Sequence, residues 1–207
     1  SRGVTPAYIL EELTGQPTDK ANSTAGIVTE ARLASVIEED RLGPWVFKDG
    51  KLSETPAPEA LSLFRSSDVS IKGANAVDPD GNIGVLAADG AGGTVGGIWG
   101  TLTARGSHWI APVSLERLIP SVIDAARVCG NHLWDLTMGQ SAGLMPIVNA
   151  QVITEVQALE IMSGVTATHI ASGGVAGSEG AVILSLSGSE TIVREAFELL
   201  EGIKGEE

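Results

Sequence analysis

The chain predicts an α/β fold, an open, mainly parallel sheet with helices on both faces, followed by a C-terminal α+β extension. Three observations carry that prediction. Short apolar runs alternate with helical spacings over the first two thirds of the chain, as in a parallel α/β sheet. Glycine supplies 26 of the 207 residues, nearly twice the ordinary share of about 7%, so tight turns and close backbone approaches must be numerous. From Ile147 the rhythm changes to strand, helix, strand, strand, helix, which puts the domain division at residues 1–146 and 147–207. This length is enough for one large domain, or a main domain with a small appendage, around a real core.

The elements follow in order. Thr5-Pro6 ahead of Ala7 to Leu13, with Gly15 behind, predicts a capped helix with proline in its first turn and glycine just past its end. A helix starting there predicts a strand before it. Ser1-Arg2-Gly3 is neither a secretory signal nor a methionine start, so the chain is expected to begin inside a longer one. Thr29 predicts the cap of a second helix, with Leu33, Val36 and Ile37 on one face and Glu38, Glu39 and Asp40 opposing the dipole at its end. Trp45 to Lys48 with Asp49-Gly50 predicts a short strand and turn. Pro56 and Pro58 open a helix through Phe64. Strands are expected at Asp68 to Lys72, Ile83 to Ala87 and His108 to Val113, and helical turns at Ser114 to Leu118 and Pro120 to Val128. Residues 130–150 mix Gly, Asn, Met and Pro among apolar residues and yield no clear element.

In the extension, Glu155 to Met162 predicts a helix, Val165 to Ala171 and Ala181 to Ser187 two strands, and Thr191 to Ile203 a final helix. That last helix carries Ile192, Val193, Ala196, Phe197, Leu200 and Ile203 on one stripe, with Glu195, Glu198 and Glu201 opposite, the pattern of a packing element.

Charge and composition exclude several classes. A net charge of −13, with 13 scattered Lys and Arg, repels polyphosphate, so nucleic acid is not an expected partner. A single cysteine, Cys129, cannot form an internal disulfide, and a reducing, cytoplasmic location is expected. No apolar run reaches membrane-spanning length, so no membrane partner is expected.

The most informative segment runs from Lys72 to Gly106. It holds Lys72-Gly73-Ala74-Asn75-Ala76-Val77-Asp78-Pro79-Asp80-Gly81-Asn82 and then Asp89-Gly90-Ala91-Gly92-Gly93-Thr94-Val95-Gly96-Gly97. Glycines let several N–H groups converge, and a helix starting after them adds a positive dipole, which together can hold phosphate or carboxylate. The same glycines also serve simple turns and close helix–sheet packing.

Gly73 to Asp80, with Asn82 and the glycine cluster behind, resembles the GADEVD…N…KGGGGA segment of ribose-5-phosphate isomerases. Gly3-Val4-Thr5 before a helix is similar to the glycine–threonine phosphate loop of that superfamily, which also holds the CoA transferases. Ile110 to Pro120 resembles the strand followed by GIEKIVP in lactate-utilisation proteins. The resemblance covers residues 1–125 and implies a ligand site where these loops converge at the carboxyl ends of strands. Its candidate contacts are Gly3, Thr5, Lys72, Gly73, Asn75, Asp78, Asp89, Gly90, Gly92, Gly93 and Thr94. The isomerase chemistry is not implied with it. Asn75 and Ala76 stand where the family has acids, the family's lysine is replaced by Ala87, Ala88 or Asp89, and Gly96-Gly97-Ile98 occupies the place of the base.

Other constellations have simpler readings. Glu179-Gly180 is the one match to the covalent glutamate of CoA transferases, but Ser178-Glu179-Gly180 reads as a turn between strands. Cys129 and His132, with His108 and Asp135, have zinc-finger-like spacing or form a Cys–His pair; a buried free cysteine beside Gly130-Asn131 accounts for the same residues. Lys72 reads as an anion contact, a Schiff-base lysine or a strand-end lysine reaching solvent. His108 and Trp109 open a strand near the glycine loop, and His169 reads as a half-buried strand residue. Neither a cofactor nor a metal is expected. The sequence therefore predicts a protein that binds a small phosphorylated or carboxylated metabolite, of the sugar-phosphate or CoA-ester class. The alternative is a non-catalytic assembly or regulatory module, which implies a homo-oligomer.

Overall fold

Turn chemistry decides most element boundaries in the first half of the chain. The computed structural model describes residues 2–204 except 21, 25, 37, 38 and 40. Helix α1 (Val4–Thr14) ends at Gly15, whose left-handed backbone (φ 66°) lets its N–H donate to the Glu11 carbonyl. Strands β1 (Gly26–Thr29) and β2 (Arg32–Ser35) then form an antiparallel hairpin in place of the helix expected from Thr29. Glu30 and Ala31 both take positive φ, 49° and 59°, and reverse the chain within two residues. The β-branched Val28 and Thr29 favour the extended ladder over a helix start. Ile37, Glu38 and Asp40 of the expected helix lie outside the described residues.

A second hairpin matches the sequence closely. Strands β3 (Val46–Lys48) and β4 (Lys51–Ser53) are joined by Asp49-Gly50, at φ 51° and 76°. Helix α2 (Ala57–Ser62) starts after Pro56 and carries Pro58 in its first turn. Its last carbonyls are taken up at a distance, because Arg105 Nη1 donates to Leu61, Ser62 and Phe64 at 3.2, 2.8 and 3.0 Å. One cation thereby supplies what the helix end lacks.

Strands β5 (Val69–Ile71), β6 (Ala76–Val77) and β7 (Ile83–Ala87) lead into helix α3 (Gly93–Arg105) and strand β8 (His108–Pro112). A one-turn 3-10 helix, Leu115–Arg117, and helix α4 (Val122–Arg127) follow, capped by Ser114 and Ser121. Strand β9 (Gly143–Ile147) arises from the stretch where the sequence yields no clear element, and β10 (Gln151–Ile153) comes after it.

The fold is mixed α/β, and strand pairing among the described residues is divided between several small sheets. One is three-stranded in the order β10-β8-β5, with β5 and β8 parallel. Another has the order β6-β7-β9 and is antiparallel throughout. The expected single open, mainly parallel sheet is not confirmed, since one of these sheets is parallel and another antiparallel. The tight reversal Asp78-Pro79-Asp80-Gly81-Asn82 turns β7 back along β6 rather than into a crossover helix.

By internal contacts the chain divides into two compact units. The first runs up to Pro112 and adds Ile119–Val152; the second comprises Val113–Leu118 and the chain from Ile153 on. Buried side chains of the first include Leu10, Ile83, Val95, Leu102, Trp109 and Ile147. The second contains α5 (Glu155–Ser163), the antiparallel pair β11 (Thr166–Ser172) and β12 (Val182–Ser187), and α6 (Glu190–Ile203). Its core gathers Leu159, Val165, Ala167 and Ala196, with Leu184, Leu186, Ile192, Val193 and Leu200 packed against them. Thr154 and Gln157 form a capping box that starts α5. Phe197 and Ile203, on the stripe expected to pack, remain exposed. No helix among the described residues is long and apolar enough to cross a membrane.

Candidate functional site

In the turn after β6, the candidate side chains bind the protein's own backbone. Asp78 is only 3% exposed, and both carboxylate oxygens are filled. Oδ1 accepts from the N–H groups of Asp80 (3.1 Å) and Asn82 (2.9 Å), and Oδ2 from Asn82 Nδ2 (3.0 Å) and the Val122 N–H (2.9 Å). Burial by itself raises the pKa of this carboxyl; the hydrogen bonds from Val122, Asn82 and Asp80 outweigh it and hold the group below the usual carboxylate range. The carboxylate ties the reversal to the first residue of α4. Asn75 does a related job, accepting the Leu86 N–H on Oδ1 at 2.9 Å and donating its own N–H to Gly84.

The glycine loop before α3 is likewise organised from within. Asp89 Oδ1 accepts the N–H groups of Ala91 (2.8 Å) and Gly93 (3.0 Å), and the Gly92 N–H reaches the Asp89 carbonyl. Hydrogen bonds from Gly93 and Ala91 keep the Asp89 pKa below its ordinary value. The Gly93 amide, expected to hold an external anion, is thus occupied by a carboxylate of the chain itself. Gly92 stands at φ 85°, and a Cβ there would lie 2.3 Å from Met145 Sδ, so this position requires glycine. Gly90 meets no neighbour within 4 Å of where its side chain would be.

A different group of candidates converges at the start of α1. Lys72 follows β5 and donates from Nζ to the Arg2 carbonyl at 3.1 Å. A Cβ on Gly73 would lie 3.6 Å from the Pro112 carbonyl, 3.8 Å from Pro6 Cδ and 3.9 Å from Thr5 Oγ1. Gly3, the N-cap of α1, has no side chain to cap the helix, and its own N–H donates to Ser23 at 2.6 Å. Gly3, Thr5, Lys72 and Gly73 are therefore neighbours around the positive end of an 11-residue helix. The Arg2 side chain is engaged elsewhere, with Nε donating to the carbonyls of Leu42 and Gly43 at 3.2 and 3.1 Å.

Beside this cluster the first unit contains a cavity of about 610 Å³. Pro6 from α1, Ile71 from β5 and Thr94 from α3 each contribute to its wall, and of the candidate contacts Thr94 is the one in the lining. The rest of the wall was not foreseen. Trp45 and Phe47 come from the β3–β4 hairpin, and Leu61 and Phe64 from the end of α2. Their sequence signals are those of ordinary strands and helices, and only the folded chain turns them toward a common cavity.

The remaining candidates stay apart. Among the described residues no three His, Cys, Asp or Glu side chains are grouped as metal ligands. Cys129 lines a smaller pocket with Trp134 and Met138. Glu179 sits in the β11–β12 turn, where its own N–H and those of Gly177 and Ala176 hold its carboxyl below the usual range. A bulge at Ile170 shifts the β11 register, putting His169 and Ser172 on the same face with Nε2 and Oγ 2.7 Å apart. Trp109 is 4% exposed, and its indole N–H meets no acceptor among the described residues.

The chain matches no family model, no curated protein and no solved structure. The resemblance to the isomerase and CoA transferase superfamily therefore rests on the sequence motifs alone.

Proposed function

We propose that the protein binds a small metabolite carrying a phosphate or carboxylate, in the sugar-phosphate or CoA-ester range that the sequence motifs imply, with the anion at the start of α1. One observation carries this reading: Lys72 Nζ lies on the Arg2 carbonyl at the uncapped first turn of α1, beside Thr5 and Gly73. In a chain of net charge −13, a lysine beside a helix N-terminus makes a local attraction for an anion. Lys72 and Gly73 also directly follow β5, which runs parallel to β8. On this reading β5, β8 and β10 are the centre of an open parallel sheet, whose carboxyl ends gather ligands.

The test is calorimetric titration with inorganic phosphate, ribose 5-phosphate, acetyl-CoA and short carboxylates. At least one should bind, and Lys72→Gln should weaken it about tenfold, the scale of one charge-assisted hydrogen bond. An unresponsive protein, or a Lys72→Gln variant that binds as well as the parent, overturns the proposal.

An assembly role is a second reading, supported by the 58% exposure of Phe197 on α6. Light scattering should then report a defined oligomer that Phe197→Asp dissociates. A monomer at every concentration removes that reading.

A further inference from the structure

We infer that the body of the bound metabolite is a hydrocarbon chain or aryl group lying in the cavity of the first unit, and that the ligand class is a medium-length carboxylate or phosphate monoester. The inference rests on the anion-binding reading for the charged end and on the cavity for everything else. At about 610 Å³ the space has the size of a small-molecule site. Its wall is built largely from Ile9, Trp45, Phe47, Leu61, Phe64 and Ile98, with Ser67, Ser70, Thr94 and the carboxylates of Asp49 and Asp68 as its polar side chains. A sugar phosphate brings a hydroxyl on nearly every carbon, and most of them would exchange water for apolar wall. Methylene or ring carbon exchanges water for contact, which is favourable in proportion to the area covered.

The polarity of the cavity orients such a ligand. Asp68 precedes β5 and Lys72 follows it, roughly 13 Å apart at the rise of an extended strand. Both Asp68 and Asp49 belong to the wall, and the Asp68 carboxylate is already engaged by the Arg65 N–H at 2.6 Å. A second negative charge is therefore disfavoured at that end. Pro6 with Ile9, Leu10 and Leu13, and Thr94 with Ile98, line the cavity, so one side of α1 and one side of α3 face it, their first turns included. The matching molecule carries one anionic group, and its apolar tail runs away from Lys72.

The experiment is a titration of the full chain with butanoate, hexanoate and octanoate, with octylamine as the charge-reversed probe and inorganic phosphate as the tail-less one. Each added methylene should tighten Kd roughly threefold, and octylamine should bind at least tenfold more weakly than octanoate. Ala60→Trp, which fills the cavity from α2, should flatten the chain-length series. Ile98→Phe does the same from α3 and serves if the first variant melts early. Lys72→Gln should weaken all three carboxylates by a common factor and leave the slope intact. If phosphate binds but the carboxylate series is flat, the cavity inference fails and the anion reading stands. If octylamine matches octanoate, the inference also fails. If no anion binds, both fall.

Discussion

Asp78→Ala is expected to lose about 3 kcal/mol of folding stability, because it strands several donors that now share one buried carboxylate. The Val122 side chain is fully buried, so its N–H at the head of α4 has no water to turn to, and the Asn82 and Asp80 amides lose the acceptor that shapes the reversal. Asp78→Asn keeps one oxygen but aims an amide at donors, so it should recover only part of the loss. Urea denaturation at neutral pH measures both. The pH dependence follows from the same hydrogen bonds. Asp78 has a folded pKa below its ordinary value of 3.8, so its contribution is complete above that value and fades as pH falls through the lower folded one. The parent should therefore lose stability more steeply than Asp78→Ala below about pH 4. A variant within 0.5 kcal/mol of the parent, on the scale of ~0.5 kcal/mol for neutral surface changes, would make the carboxylate dispensable to the fold.

Gly96→Ala is expected to cost about 2–3 kcal/mol, as an overpacked position. A Cβ at Gly96 would fall 1.7 Å from the Ala91 carbonyl oxygen, which is backbone and cannot swing aside. The loop that Asp89 folds over the start of α3 would have to open. Gly100 lies one turn further along the same helix and meets nothing within 4 Å. Gly100→Ala should instead stabilise by about 1 kcal/mol, through better helix propensity and a less flexible unfolded chain. Thermal melts of the two variants should move in opposite directions, by a few degrees per kcal/mol at this chain length. Equal shifts would mean that the glycines of α3 act only through propensity.

The two variants also separate what a glycine cluster can say from sequence and what it cannot. Gly92, Gly93, Gly96, Gly97 and Gly100 look alike in one dimension. The left-handed backbone requires glycine at Gly92 and the Ala91 carbonyl requires it at Gly96, while Gly97 and Gly100 face open space. The same limit explains the acids. The expected ligand contacts Asp78 and Asp89 carry the right chemistry to meet donors, and they do, but the donors belong to the protein. No spacing rule distinguishes a carboxylate that awaits a ligand from one that organises its own loop.

Several features were legible because their causes are local. Asp49-Gly50 makes a hairpin turn from its own backbone preferences, Gly15 ends α1 through its left-handed backbone, and Thr154 with Gln157 starts α5. The helix-strand-strand-helix order of the second unit from Glu155 on follows from periodicity alone. The β1–β2 hairpin was not legible, since Glu30 and Ala31 adopt positive φ without the Asn or Gly that normally signals it. Strand β9 was hidden for a different reason: Gly143, Met145 and Pro146 are weak strand formers, and the ladder with β7 overrides them.

By itself the sequence determined the class of fold, the loops that carry the glycines and the acidic balance against which any anion site must work. Tertiary structure alone decided that Lys72 reaches the Arg2 carbonyl at the head of α1, that Asp78 is spent on the Val122 amide of α4, and that Pro6, Ile71 and Thr94 share a cavity with Trp45 and Phe64. Turns, caps and periodicity depend on neighbours within a few residues, so they can be read along the chain. A binding site depends on which distant groups arrive at one point, and on whether their hydrogen bonds are already satisfied when they arrive there.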